Sequence, residues 1–246
     1  MGRLVACLTL GFVVLASGAS AQQNQPIYPV YDGFLKNPDG SYTLSFAYFS
    51  HNADAVTIAP GAVNAFAPAP GDRLQPTTFR PGHWRFQCVM VVPADFDGKM
   101  KWTLTYGGVT TGTSERMLQS NWNLVEGATQ LAKVDYARVP KGVCLNQPPQ
   151  VRVLGVTARP NNPPTLSVAL SEELNLFGSA HDEGLPRGKG LMVEWKVLKG
   201  PGEVKFTIPG SARTKAAFSA PGTYELELTG SDSEFTVRTR VNVNVK

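Results

Sequence analysis

The chain is poor in cysteine, histidine and long apolar runs, with three cysteines and three histidines in 246 residues. Beyond the first 21 residues no apolar stretch approaches the roughly 20 residues that a membrane-crossing helix needs. No membrane insertion by helices is therefore expected of the body of the chain. Helical periodicity is missing as well, because no long window keeps apolar residues at helical spacing and 24 glycines plus 19 prolines punctuate the sequence. The one short helical candidate lies near Ala128 to Ala132. Charge of one sign is also lacking: charged residues make up 17%, and the formal net charge is only +4. Nucleic-acid binders concentrate Lys and Arg on one face or in one run. The densest basic pattern here, Arg238-Thr239-Arg240, is the outward phase of a strand, so no nucleic-acid partner is expected.

Catalytic signatures are scarce too. Gly-x-Ser-x-Gly, the strained elbow that exposes a nucleophilic serine, does not occur. His51, His83 and His181 show no metal-ligand spacing such as His-Glu-x-x-His. His51 and His83 could still meet in space around a transition metal, against the commoner reading as surface histidines. Asp95 and Asp97 read as a surface turn, not as the acid and base of a glycosidase. Neither a catalytic residue nor a cofactor nor a metal site is assigned on these grounds.

What is present begins with the N-terminus. Arg3 supplies a short positive region, Leu8 to Leu15 an apolar core, and Ala19-Ser20-Ala21 a small-residue cleavage site, the three parts of a signal peptide over residues 1–21. Leu4-Val5-Ala6-Cys7 has the letters of a lipoprotein box but precedes the apolar core, so lipidation is not expected. Cleavage would leave a mature chain starting at Gln22, periplasmic or extracellular, with 22 basic and 19 acidic residues once Arg3 is gone. Cys88 and Cys144 would then be the remaining cysteines. In an oxidising compartment they can pair, and a disulfide would tie the interdomain connection back to the first domain. The alternative is that Cys88, in phase with Trp84, Phe86 and Met90, is a small buried apolar residue. An unpaired thiol is a liability outside the cell, which favours the disulfide.

Strands announce themselves by alternation. In the first domain, residues 22–145 with the connecting segment, Tyr42, Leu44, Phe46 and Tyr48 form one inward row of a half-buried strand. Trp84, Phe86, Cys88, Met90 and Val92 form a second, and Met100, Trp102, Leu104 and Tyr106 a third. Asn37-Pro38-Asp39-Gly40 reads as a turn and Gly107-Gly108 as a two-residue hairpin. Ala59 to Gly71, dominated by Ala, Pro and Gly, reads as a surface loop with Phe66 tucked back against the sandwich. Trp122 lies outside any clear row and is expected to be the most exposed tryptophan, a candidate for stacking on sugar or docking a partner. Pro140 and Pro148-Pro149 mark a stiff boundary.

Residues 146–246 form the second domain. Its inward rows are Leu191, Val193, Trp195 and Val197, then Val204, Phe206 and Ile208, then Tyr224, Leu226 and Leu228, and finally Val237, Val241, Val243 and Val245. The ordered series Asn146-Gln147-Pro148-Pro149, His181-Asp182-Glu183-Gly184-Leu185-Pro186, Trp195, Gly200-Pro201-Gly202, Phe218-Ser219-Ala220-Pro221-Gly222-Thr223-Tyr224 and Ser231-Asp232 resembles the polycystic kidney disease (PKD) type of immunoglobulin-like domain. That resemblance covers about 100 residues and implies a β-sandwich of about seven strands, used in secreted proteins for spacing and for binding proteins or glycans. On it, Trp195 is the core indole, Tyr224 closes a tyrosine corner, and Asp232 holds backbone amides in its turn. Some such domains are calcium-associated, which gives His181-Asp182-Glu183-Gly184 with Asp232 a calcium reading. Two or three carboxylates fall short of the six or more oxygens that calcium takes, and a solvated turn is the simpler reading.

The fold expected is all-β: two immunoglobulin-like antiparallel β-sandwich domains in tandem after the signal peptide. The function expected is non-enzymatic interaction or spacing, with a protein or polysaccharide of the cell envelope as partner. The alternatives are a secreted hydrolase, or a carbohydrate-binding protein with Trp122, Trp84 or Tyr48 in a flat exposed row of the first domain.

Overall fold

The computed structural model describes residues 24–124, 134–153 and 163–246. The signal-peptide segment and the helical candidate near Ala128 fall outside them. The first sandwich is built from β1 (Ile27–Lys36), β2 (Tyr42–Ser50), β3 (Val56–Thr57), β4 (Asn64–Ala67), β5 (Thr78–Phe79), β6 (Gly82–Val92), β7 (Lys101–Tyr106) and β8 (Val109–Gly112). The sheet β1-β2-β6 faces β4-β7-β8, and β3 pairs with β5 at one end. Leu44, Phe46 and Tyr48 from β2 meet Trp102 and Leu104 from β7, all with no exposed surface. Each such burial is worth roughly 1.5–3 kcal/mol, so this aromatic cluster carries much of the domain.

Three features of this domain differ from the sequence reading. The Ala59–Gly71 stretch is not all loop, because Asn64–Ala67 pairs with β7. What converts it is Asn64, fully buried, whose amide donates to the Ile58 and Pro76 carbonyls and accepts from Trp102 Nε1 at 2.9 Å. Phe66 then stacks on Trp102, ring centroids 5.7 Å apart. A four-residue strand is too short to show its alternation.

Phe86 leaves the inward row. The β2–β6 register shifts between Phe46 and Tyr48, and Phe86 takes φ +58°, a region uncommon for residues other than glycine. Its amide donates to Asp32 Oδ2 at 2.7 Å, and Arg85 Nε reaches Asp32 Oδ1 at 2.7 Å. A buried carboxylate gathers both groups, so the bulge turns Phe86 onto the outer face beside Val89 and Val91. That outer face is the third difference: Thr43 and Ser45, opposite Val91 and Val89, are as buried as the inward row. Val139, with Val134 and Tyr136, packs from the connecting segment against Val89 and Val91 on that face.

The same segment covers the free edge of β6. Val91 donates to Pro140 O and accepts from Gly142, while Leu145 donates to Val89 O and Gln147 Nε2 to Phe86 O. Cys88 and Cys144 form a disulfide here, both buried. An open sheet edge is a template for unwanted pairing, and this one is closed by the chain itself.

The second sandwich comprises β9 (Gln150–Val153), β10 (Thr165–Val168), β11 (Leu174–His181), β12 (Met192–Lys199), β13 (Val204–Phe206), β14 (Arg213–Phe218), β15 (Gly222–Ser231) and β16 (Thr236–Val245). One sheet runs β9-β11-β14-β13 and the other β12-β15-β16, with β10 added parallel to β16. This is the A-B-E-D and C-F-G order of immunoglobulin-like sandwiches. The first domain keeps it as β1-β2-β6 and β4-β7-β8. Trp195, Leu226, Leu228, Val241 and Val243 fill the core. Two expected inward residues do not arrive. Val197 is 39% exposed beside a register shift on edge strand β12, and Ile208 is 56% exposed because β13 has already ended.

Candidate functional site

A loop of the second sandwich lies against the first. Leaving β11, the chain His181-Asp182-Glu183-Gly184-Leu185 lies on the first domain, where Glu183 O accepts from Thr77 N at 2.8 Å and Thr78 N at 3.3 Å. Gly184 sits at φ +97° with a Cβ position only 2.0 Å from Thr77 Oγ1, so both backbone conformation and space call for glycine. Leu185 is buried, and Arg187 Nη2 donates to Gln75 O at 2.6 Å and approaches Asp72 Oδ1 at 3.4 Å. From the linker, Gln147 N donates to Glu183 Oε1 at 2.8 Å, and Asn146 Nδ2 to Asp232 Oδ2 at 3.1 Å and Glu234 Oε2 at 2.7 Å.

Arg80 completes the junction from the other side. It is 6% exposed, its guanidinium lies 3.3 Å from the centre of the Trp84 ring, and Nη1 donates to Gln150 Oε1 at 3.3 Å. Its amide donates to Tyr48 Oη at 2.9 Å, and burial pushes that phenol above its usual range. Burial also pushes the Glu183 carboxyl up to about 8, helped by the charges of Asp182 and Asp232 and opposed by the Gln147 amide. Asp182 is raised for the same first reason. His181 is held below its ordinary range by burial and then by Arg80, Arg152 and Arg213. At neutral pH the Glu183 carboxyl therefore largely keeps its proton.

Asp232 does approach the His181–Gly184 loop, as the calcium reading requires, and its oxygens accept hydrogen bonds from its own turn and from Asn146. Oδ1 accepts from Glu234 N and Phe235 N at 2.8 and 2.6 Å. Asp182 Oδ1 takes Gly184 N and Glu183 Oε1 takes Gln147 N. No group of three or more His, Cys, Asp or Glu among the described residues is placed to hold a metal. Trp195 donates Nε1 to Ala212 O at 3.1 Å, and Tyr224 Oη donates to Ala220 O at 2.8 Å.

The aromatic row imagined for the first domain is not formed. Tyr48 has no exposed surface, and Arg80 covers Trp84. Trp122, in a 3-10 turn over Ser120–Trp122, is half-buried with its ring 5.6 Å from Tyr31. It caps the β1 bulge: at Gly33, φ +132°, a Cβ would lie 2.4 Å from Trp122 O. The rings that do reach the surface together are Tyr28, Phe49 and His83, side by side across β1, β2 and β6, with His51 at 4.5 Å from Phe49. They meet at 57° to 86°, edge against face, and so offer no coplanar platform. His51 and His83 each lie against Phe49, with ring centroids 4.5 and 6.2 Å away. Asp97 accepts the Lys99 amide in its turn. Sequence reasoning missed Arg80, Gln147 and Arg187, whose partners lie far along the chain.

No protein-family model matches the chain. Among solved structures it is similar to a nucleoside hydrolase-related hypothetical protein from Saccharophagus degradans that is associated with carbohydrate metabolism. The identity is 20% over 56% of this chain and 35% of that one, with a TM-score of 0.37. The chain thus spans about a third of that protein. It is also similar to the PKD domain of human KIAA0319, at 18% identity over 41% of this chain and 83% of that one, TM-score 0.30. Domains EC1–3 of Drosophila N-cadherin match at 10% identity over 85% and 78% of the two chains, TM-score 0.32.

Proposed function

We propose that this chain is an exported, non-enzymatic adaptor or spacer of the cell envelope, periplasmic or extracellular. In this reading its second sandwich is a PKD-type domain and its partner is an envelope protein or polysaccharide. The observation that carries the reading is the junction. Domain pairs in one chain move relative to each other unless the interface between them is substantial. Here residues 140–147 are bonded to β6, a disulfide anchors them, and Glu183 and Arg187 bind the backbone of the first domain. Such a connection serves a protein that must hold two surfaces in fixed orientation. The disulfide and the signal-like start support export. Among the described residues, no helix is long and apolar enough to cross a membrane.

The test is retention of the mature protein by immobilised envelope proteins and a panel of envelope polysaccharides, beside Gly184→Val, which would lift the loop off Thr77. Saturable retention of one defined species, weakened in the variant, is the expected result. Retention of nothing, together with turnover of glycoside or ester substrates by the same preparation, would sink the adaptor reading in favour of a secreted hydrolase.

A further inference from the structure

The two faces of the second sandwich treat charge differently. Beside β12, β15 and β16 the cations are matched: Arg240 reaches Glu225 and Glu227 at 3.1 and 3.0 Å, and Arg238 reaches Glu227 at 3.5 Å. Lys199 reaches Glu225 at 3.3 Å and Lys196 reaches Glu194 at 2.9 Å. There exposed cations cover Glu225 and Glu227, and each of these charges has its partner. On the opposite face, Arg152, Lys205 and Arg213 make no ion pair among the described residues, and Lys215 meets Glu173 at 3.1 Å.

This basic face also breaks the polar pattern of an exposed sheet. Phe177 stands opposite Arg213 and is 58% exposed, and Ile208 is 56% exposed. With Leu176 below, the two wall a shallow depression of about 310 Å³ rimmed by Arg213 and Lys215. Two adjacent exposed apolar side chains on a sheet face offer a partner a place to anchor. His181 is held below its ordinary range by burial, then by Arg80 of the first domain and by Arg152 and Arg213 of this face.

We propose that this face docks an acidic protein segment, one apolar side chain entering the depression between Phe177 and Ile208 while flanking carboxylates meet Arg213 and Lys205. The inference rests on the adaptor reading and names its partner's chemistry. Charge complementarity selects an acidic partner. The apolar walls select a polypeptide over an acidic polysaccharide, since an apolar anchor seated in a pocket inside a charged rim is how protein interfaces concentrate their affinity, whereas sugar residues would bring hydroxyls to those walls.

The experiment is selection of a random peptide display library on the intact mature protein, followed by titration of the enriched peptide. Wild type would be compared with Phe177→Ser, Arg213→Glu and, on the matched face, Lys196→Glu. All three positions are exposed, so folding is not at stake, and circular dichroism verifies that. The expected consensus is an apolar residue flanked by Asp or Glu. Binding should weaken about tenfold or more in Phe177→Ser and Arg213→Glu, stay near wild type in Lys196→Glu, and fall as salt screens the charges. No acidic consensus, or binding indifferent to the first two variants, overturns the proposal. Retention of polygalacturonate with the same sensitivity and no peptide enrichment overturns the protein assignment. Hydrolytic turnover by wild type would remove the adaptor reading without altering these binding results, so the two failures are separable.

Discussion

Strand β2 of the first sandwich is buried on both faces, whereas the sheets of the second pack an apolar core on one face and carry charged side chains on the other. β2 of the first domain has core rings on its inner side, and Val139 with its neighbours packs on the outer face of the same sheet at Val89 and Val91, whereas β14 and β16 of the second turn charged residues to water. The difference lies in the connecting segment, which closes the edge and outer face of the first domain and then, through Glu183 and Asn146, seats the second. One domain is thus committed to structure by its linker, and the other keeps its faces free. Changes at the linker should therefore harm the first domain and the junction while sparing the second.

The largest effect expected is on pH dependence. Glu183 is raised from an ordinary 4.5 to about 8 by burial and by Asp182 and Asp232. An acid whose folded pKa lies above its unfolded value holds its proton more tightly when folded. Stability contributed by that proton is complete below 4.5 and is lost as pH rises through 8. The loss should be roughly 4–5 kcal/mol at the full shift. Asp182 adds in the same sense. His181, lowered by burial and the nearby arginines, acts oppositely and only on the acid side of its usual range. Urea denaturation across this window should show stability falling with pH in wild type and falling much less steeply in Glu183→Gln, where Asp182 remains. An equal slope in both would place the titration elsewhere.

Next in size is the disulfide. Cys88 and Cys144 are separated by 56 residues, a loop whose closure is worth about 4 kcal/mol in the chain-entropy model. Calorimetry of Cys88→Ala with Cys144→Ala should move one unfolding transition down and leave the other in place. A uniform shift of both would mean that the domains unfold as one unit.

Smaller again is Gly200→Ala. An added Cβ would sit 2.1 Å from Cδ1 of the fully buried Tyr224 ring, and relieving such overpacking costs roughly 1–3 kcal/mol. Here the second domain's transition alone should fall.

How much of this could be read from the sequence follows from the range of the interactions involved. The rows Leu44, Phe46, Tyr48 and Leu226, Leu228 are set by alternation within one strand, so they were legible. β4 was not, because its composition is that of a loop and Asn64 finds its partners in distant segments. The turn of Phe86 was hidden because its amide is held by Asp32, 54 residues earlier. The junction was half legible. The loop His181-Asp182-Glu183-Gly184 stands out as a turn with two carboxylates, but its docking on Thr77 joins residues that no local pattern connects.

The smallest expected effect sharpens the comparison most. Tyr224 enters β15 with its hydroxyl on Ala220 O at 2.8 Å, its ring 4.8 Å from Phe218 and its edge against Gly200. Tyr224→Phe keeps the ring and removes only the donor. The loss should be about 1 kcal/mol, the net worth of one hydrogen bond plus the carbonyl it leaves behind. Because the corner lies away from Glu183 and the linker, the variant should lower the second domain's transition while leaving the pH slope and the first transition untouched. If the first transition moved with it, the two sandwiches would be coupled through their cores and not only through the junction loop.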